Sequence, residues 1–555
     1  MIDAAPVSSG RAGTPGRLLR LWPWLPLPIG VVYLLVILIK FNQIVAATYL
    51  NADAASAPVI GELFGGSPAH RQVFLGQMGW FSTLIFELAT RSLPLHRQLW
   101  EGAPYAMVIA SVLLIAWASW RVAGRWAAAI TAVLLLCAGP HTLGLLFSLN
   151  DHSTTWFSLA LLAAVLVLFQ APPAWLRTWA AVLTALLVGV VVGVNAASDL
   201  VLLVAGIAPI LLAAAAVWLL RPGRASARAG WWTLGTVVIA AVCDELTLAY
   251  MHKQNVLTPP KALHNAFASA ETLSSNFKLW WQSLMVLGNG NFFGERLGFT
   301  TGLQLLCAVL TLLALVLVAR LAWRELVAFA PRIERVGEVA SLRIAWCTFW
   351  LSSAVLLSAS FIFSSNPIDI DSSRYLVGAI YAVAALLPLL ATRGGVASHD
   401  GVTASGSVLA RVAVTAGATV FALSGLVSLL NNEELASGNP SYSLYNQVAQ
   451  VAADEHLTVG YADYWDAAPI IWSTHFHLRA YPVQDCAPNL CWSSLHMITS
   501  WYAPRPDKRT FLLTNSAEPI PAAPMPNLGK ASAVHQIGTI TMYVYAYDIA
   551  SRMMP

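Results

Sequence analysis

Residues 23–55 read PWLPLPIGVVYLLVILIKFNQIVAATYLNADAA. An apolar run, preceded by Arg17 and Arg20, is followed within a few residues by a carboxylate, Asp53. Roughly 20 consecutive apolar residues span a bilayer as a helix. The stretch therefore predicts a membrane-spanning helix with an acidic group waiting just beyond its end. It has no clear small-residue cleavage site, so it reads as a retained anchor and not as a removed signal peptide.

Working outward, the same reading repeats along the chain. Of its 555 residues, 57% are hydrophobic and only 10% charged, too apolar for a soluble globular protein. Apolar segments near 23–44, 102–120, 126–147, 153–170, 175–194, 200–220, 231–251, 302–323, 343–363, 375–392 and 408–430 predict about 11 transmembrane helices. Many of the 22 Trp, such as Trp22, Trp126, Trp231 and Trp346, fall near segment ends, where an amphipathic ring suits the interface. Arg121 and Arg125, Arg177, Arg221 with Arg224 and Arg228, and Arg320 through Arg343 occupy alternate turns, on the side of the N-terminus. The intervening short loops around 140–152, 195–199 and 364–373 contain no Lys or Arg before Arg374. Positive charge marks the cytoplasmic side, so a cytoplasmic N-terminus and an extracytoplasmic C-terminal tail are expected. Residues 72–90 are apolar but interrupted by Gln72, Gln77 and Glu87, and are read as an interfacial helix on the membrane. A net charge of +4, spread among membrane flanks, implies no nucleic-acid partner.

The tail from about 431 to 555 reads as a small extracytoplasmic α/β domain, leaving residues 1–430 as the membrane domain. Tyr442 to Ala453 has helical spacing; 457–461, 510–514 and 539–547 read as strands. Cys486 and Cys491 are the only cysteines of the tail. A disulfide is expected there in an oxidising compartment; the same spacing fits a zinc half-site, with no second half following. Cys137, Cys243, Cys307 and Cys347 lie inside apolar segments, as small hydrophobes.

No Walker A loop, HExxH or GxSxG occurs, so those chemistries have no local support. The carboxylates instead gather at one set of segment ends. Asp53 can serve as a general base toward a hydroxyl, or cap a helix. Asp151-His152 opens the fourth segment, with the same alternatives for the acid, and Asp199 follows the fifth. Asp244 and Glu245 lie within the seventh, where adjacent acids at membrane depth are expensive and face a functional cavity. In Asp369-Ile370-Asp371-Ser372-Ser373-Arg374, the guanidinium suits a lipid-linked phosphate, or an internal pair with Asp369 or Asp371. Lys261 and His264, in the loop at 252–301, are further phosphate candidates. Glu62 and His70, in the first loop, are candidate substrate contacts, though His70 at a membrane surface also needs only lipid headgroups. His475-Phe476-His477 has metal-like spacing, but a strand with outward histidines needs no metal.

On Asp53, the interfacial helix at 72–90, Asp151 and the extracytoplasmic tail, the chain resembles the C-fold (GT-C) superfamily of polytopic membrane glycosyltransferases. It departs from that pattern in two places. The paired acids of some branches are Asn51-Ala52-Asp53 here, and a Trp-Trp-Asp signature is replaced by Tyr464-Trp465-Asp466. The resemblance implies a mostly α membrane bundle and transfer of a sugar from a polyprenyl-phosphate donor to a cell-envelope glycan or lipid acceptor. It implies Asp53 as base, Asp151 and His152 as assisting groups, and Arg374 with Lys261 at the leaving phosphate. No cofactor is fixed by it; a divalent metal, Mg or Mn, is a candidate, since dependence varies across the superfamily. Arg-rich composition points to a bacterial inner membrane. Two other readings remain open, a lipid-linked sugar flippase and an envelope glycan polymerase or ligase. The first would fit inverted repeats, which are not evident, and the second a more basic outer loop.

Overall fold

The structure is a computed structural model. It describes residues 22–63, 72–74, 96–147, 152–173, 176, 178–220, 223–257, 266–329, 338–392, 404–432, 440–486, 489–493, 495–505, 507–516 and 527–554. All eleven apolar segments are helical. Among the described residues nine helices are long and apolar enough to cross a membrane; the tenth segment, Arg125–Leu136 with Pro140–Phe147, is bent by 89°, and Thr154–Gln170 is a shorter apolar helix. The chain is a polytopic helical membrane protein with a small C-terminal α/β domain.

Small residues set the closest helix contacts. Thr178–Ser198 packs along Arg224–Lys253 through Gly189 and Gly193. A Cβ on Gly193 would stand 2.2 Å from the Ala240 carbonyl oxygen and 2.7 Å from Cys243 Cβ. Such small-residue seams let helix backbones approach where no hydrophobic drive separates lipid from protein. Arginine-bearing ends meet one another: Arg121 donates to the Ala171 carbonyl at 2.8 Å, and Arg343 to the Thr392 carbonyl at 3.2 Å.

The bend between Leu136 and Pro140 is held by one side chain. Asn289 sits just past the helix α1, Ala270–Leu287, in the left-handed region (φ 61°). Its Oδ1 accepts from the Gly139 N–H at 2.6 Å, and its Nδ2 donates to the carbonyls of Cys137 and Phe421 at 2.8 and 3.1 Å. Unpaired backbone groups at such a break would be costly in a water-poor interior. Asn289 supplies what the interrupted helix cannot.

The C-terminal domain carries a six-stranded sheet in the order β5-β4-β3-β7-β9-β8. Its strands are β3 Val459–Ala462, β4 Arg479–Cys486, β5 Asn489–Trp492, β7 Thr510–Asn515, β8 Ala533–Ile537 and β9 Ile540–Tyr545. β3 runs parallel to β4 and β7, and the outer pairs are antiparallel. Helix α2, Pro440–Asp454, precedes β3, and helix α3, Tyr464–Ser473, makes the β3–β4 crossover. The strands expected at 457–461, 510–514 and 539–547 all appear, offset by a residue or two. Cys486 and Cys491 form a disulfide across the β4–β5 hairpin.

Two features join this domain to the bundle. Helix α4, Ala52–Glu62, follows the first span after the short helix Phe41–Thr48 and buries nearly its whole length, packing against α3. Asn51 caps it, accepting from the Asp53 N–H at 2.8 Å. A second, three-stranded sheet takes one strand from each of three distant parts of the chain: β1 Val73–Phe74, β2 Val256–Leu257 and β6 Met497–Ile498, in the order β2-β1-β6. This corrects part of the sequence expectation. Residues 72–74 do not open an interfacial helix but pair as a strand, because partners more than 180 and 420 residues away compete for their backbone groups. Residues 75–90 lie outside the described residues.

Candidate active site

Where bundle and domain meet, a cavity of about 990 Å³ opens. Its walls come from the end of the first span, the bent helix near His141, the turn after α1, the segment 366–374, the end of the last span and α3. Asp53 and Arg374 stand together on it: an Arg374 Nη1 lies 3.5 Å from Asp53 Oδ2, and both side chains are about one-fifth exposed. Arg374 also lies over the Tyr375 ring. Of the alternatives for Arg374, the pair within the structure is thus with Asp53, not with its sequence neighbours.

Asp369 and Asp371 line the cavity as well. Asp369 caps the short helix Ile370–Leu376, accepting from the Ser372 N–H at 3.2 Å while Ser372 reaches back to it. Asp371 faces His141 Nδ1 at 4.0 Å, and His141 Nε2 meets Ser373 Oγ at 2.9 Å. The remaining polar lining is rich in neutral amides, Asn289, Asn291, Gln304, Asn366, Asn431 and Asn432, with one further carboxylate, Glu295. Trp465, half-exposed, presents its indole to the same space.

The far side of Asp53 belongs to the C-terminal domain. The Tyr464 hydroxyl donates to Asp53 Oδ1 and also lies 2.7 Å from His496 Nδ1. His496 Nδ1 is 2.9 Å from Ser56 Oγ, whose own proton goes to the Ala52 carbonyl. Burial pushes the His496 imidazole down to about 4, against the opposing pull of the Asp53 charge. One residue ahead of α3, Asp463 accepts from the N–H groups of Trp465 and Asp466 as its cap. Burial, reinforced by the nearby Asp466 carboxylate, raises the Asp463 carboxyl.

Other expected site residues stand elsewhere. His152 is buried and bonded through Nδ1 to Asp199, whose carboxylate also accepts from Thr155 and the Val201 N–H. The pair does not line the cavity; it backs Tyr375, whose ring meets the His152 ring at 5.0 Å. Asp244 and Glu245 sit on the long helix Arg224–Lys253 and do not line the cavity. The reason is helical phase. Thr236, Ala240 and Cys243 face the glycine seam, so Glu245 turns outward and is exposed. Glu62 is exposed at the far end of α4, away from the cavity. His70, Asp151, Lys261 and His264 lie outside the described residues. His475 and His477 fall in the turn between α3 and β4, not on a strand.

Among the described residues no group of three or more His, Cys, Asp or Glu is placed to hold a metal ion. The cavity carboxylates do not converge: Asp53 is turned to Arg374 and Tyr464, and Asp369 to its own helix cap.

No protein-family model matches the chain, and no curated protein matches it. Among solved structures it is similar to the crystal structure of the Archaeoglobus fulgidus oligosaccharyltransferase in complex with Zn and sulfate. That likeness has a TM-score of 0.41 at 13% identity, covering 82% of this chain. The chain spans 62% of that protein's length. A superposition this loose assigns nothing to the site. What the fold and cavity define by themselves is a polytopic membrane protein with a carboxylate–guanidinium pair in a polar cavity under an α/β domain.

Proposed function

We propose that this protein is a membrane glycosyltransferase, with Asp53 as general base and a polyprenyl-phosphate sugar as donor. Its acceptor is an envelope glycan or lipid on the extracytoplasmic face of the bacterial cytoplasmic membrane. The observation that carries the reading is the pairing of Asp53 with Arg374 at 3.5 Å on a large polar cavity at a bundle end. A carboxylate can take a proton from an acceptor hydroxyl, and a guanidinium can hold a phosphate by two parallel hydrogen bonds. Few other reactions need both within one contact.

In this reading the acceptor oxygen gives its proton to Asp53 as it bonds to the anomeric carbon of the donor. The bond from that carbon to the phosphate oxygen breaks, and the electron pair leaves with the phosphate. Arg374 stabilises the charge that develops there, a preorganised electrostatic contribution. In the absence of substrate the two groups satisfy each other; a bound phosphate takes over the guanidinium and releases the carboxylate for the hydroxyl. The amide-rich walls offer donors and acceptors without charge, which suits a polyol. Trp465 gives a flat apolar face beside them. His152 and Asp199 act behind this arrangement, holding Tyr375 and with it the segment that carries Arg374.

The test is sugar transfer by purified protein in lipid, wild type beside Asp53→Asn, with a panel of polyprenyl-phosphate sugars and envelope glycan acceptors read by mass spectrometry. Transfer by the wild type and its loss in a folded Asp53→Asn variant is the expected result. Equal transfer by both would remove Asp53 as the base. Donor translocation across vesicles without any transfer would replace the transferase reading with a flippase.

A further inference from the structure

We infer that His496 and Tyr464, both from the C-terminal domain, are positioning residues that hold the Asp53 carboxylate in its working orientation. The inference rests on the transferase reading for its kinetic consequence, but its geometry stands without it. Proton accounting gives a direction to the four bonds that join Ala52, Ser56, His496, Tyr464 and Asp53. Ser56 spends its proton on the Ala52 carbonyl, and Tyr464 spends its own on Asp53. Both hydroxyl oxygens therefore need an incoming donor, and each lies within 3 Å of the same atom, His496 Nδ1. The ring must carry its proton on Nδ1 and share it between the two oxygens. This is a tautomer assigned from its hydrogen-bond partners.

The consequence reaches Asp53. A tyrosine hydroxyl can rotate its proton toward either neighbour. With Nδ1–H pointing at its oxygen, the Tyr464 proton is turned away from the ring and toward Asp53. One carboxylate oxygen is thus held from the domain side while the other faces Arg374, and the group cannot swing out of the cavity. A cationic ring is disfavoured by burial, and the neutral ring keeps a single donor on the side that matters. The backbone secures the ring in turn. His496 has φ 51° and immediately precedes β6, which pairs with β1, and its Nδ1 meets Ser56 of α4. Tyr464 is the first residue of α3, anchored by the Asp463 cap and the packing of α3 on α4.

Three variants separate positioning from folding. Tyr464→Phe removes the bond to Asp53, His496→Leu removes the shared donor, and His496→Asn restores an N–H near the Nδ1 position. Hydrogen bonds to charged groups are worth enough that kcat should fall about tenfold in the first two, with KM little changed, and recover in the third. Nitrogen-15 NMR of histidine-labelled protein gives a reading independent of turnover. His496 should appear as the neutral Nδ1–H tautomer. Asp53→Asn should move its Nδ1 signal, and that movement should vanish when Tyr464 is Phe. Wild-type transfer that is equally fast in Tyr464→Phe and His496→Leu overturns the inference and leaves the transferase reading standing. An Nε2–H tautomer, or an Asp53→Asn effect that persists without Tyr464, overturns it whatever the reaction proves to be. Failure of every form to transfer sugar sinks the transferase reading, and the NMR result then decides the positioning by itself.

Discussion

Replacing Asn289 by Ala should cost more than any single apolar truncation nearby, and the size can be worked from its contacts. The substitution removes an acceptor from the Gly139 N–H and a donor from the Cys137 carbonyl, both at the break in the bent helix. The third partner, the Phe421 carbonyl, lies inside the helix Ala404–Leu430 and keeps its helical bond. Two buried backbone groups are then left unpaired, at roughly 1–3 kcal/mol each, or about 4 kcal/mol together. Asn289 also has φ 61°, where Ala pays about 1 kcal/mol that Asn partly escapes and Gly avoids. The expected order of stability is Asn above Gly above Ala, with Ala about 5 kcal/mol below wild type and Gly about 1 kcal/mol better than Ala. Equilibrium unfolding in mixed micelles, followed by tryptophan fluorescence, measures all three. If Ala unfolds with the wild type, the amide is not what holds the break. If Gly is no better than Ala, the backbone term is wrong. Because Asn289 and Gly139 both line the cavity, the two variants should lose transfer along with stability.

Two further predictions test other links. His496 and Asp463 bend the pH dependence of stability in opposite directions. A histidine lowered from about 6.5 to about 4 binds its proton better when unfolded, so its contribution, about 3 kcal/mol, is present above pH 6.5 and lost toward pH 4. A carboxyl raised from 3.8 to about 7 binds its proton better when folded, so its contribution is present at low pH and lost as pH rises toward 7. Relative to the wild type, stability between pH 4 and 7 should therefore tilt downward with rising pH in His496→Asn and upward in Asp463→Asn, as chemical denaturation at several pH values would reveal. Gly193→Ala should destabilise by about 1–3 kcal/mol, since the new methyl meets a backbone carbonyl that cannot rotate aside; unchanged stability in the same micelle titration would mean the two helices are free to separate.

What could be read in the sequence was whatever depends on near neighbours. All eleven helices follow from runs of apolar side chains, and the domain strands from alternation within a few residues. The positions of Asp53 and Arg374 near segment ends were legible, but their pairing across 321 residues of sequence was not. Residues whose role is set by distant partners were not. Tyr464 was visible only as a departure from a familiar triplet, and His496 carried no local signal, since its partner Ser56 is 440 residues away. Asn289 looks like any asparagine after a helix. His152 was misplaced for the same reason: adjacency to Asp151 drew it toward the cavity, while its carboxylate partner, Asp199, stands 47 residues further on. Residues 72–74 open a longer apolar stretch that reads as an interfacial helix, and only pairing with the strands at 256 and 497 shows Val73 and Phe74 as β.

The small sheet of β1, β2 and β6 imposes an order of events on the living chain. Synthesis delivers Asp53 first, the second strand more than 180 residues after β1, and Met497–Ile498 more than 420 residues after it. Until then β1 has no partner on one side, His496 has no place to dock, and Asp53 lacks the histidine that backs Tyr464. Closing so long a loop is slow compared with forming the helices around it. A chain stalled or clipped before its last sheet strand pairs is therefore an inserted bundle with an unfinished cavity. The sheet thus ties the finishing of the cavity to the arrival of its last strand.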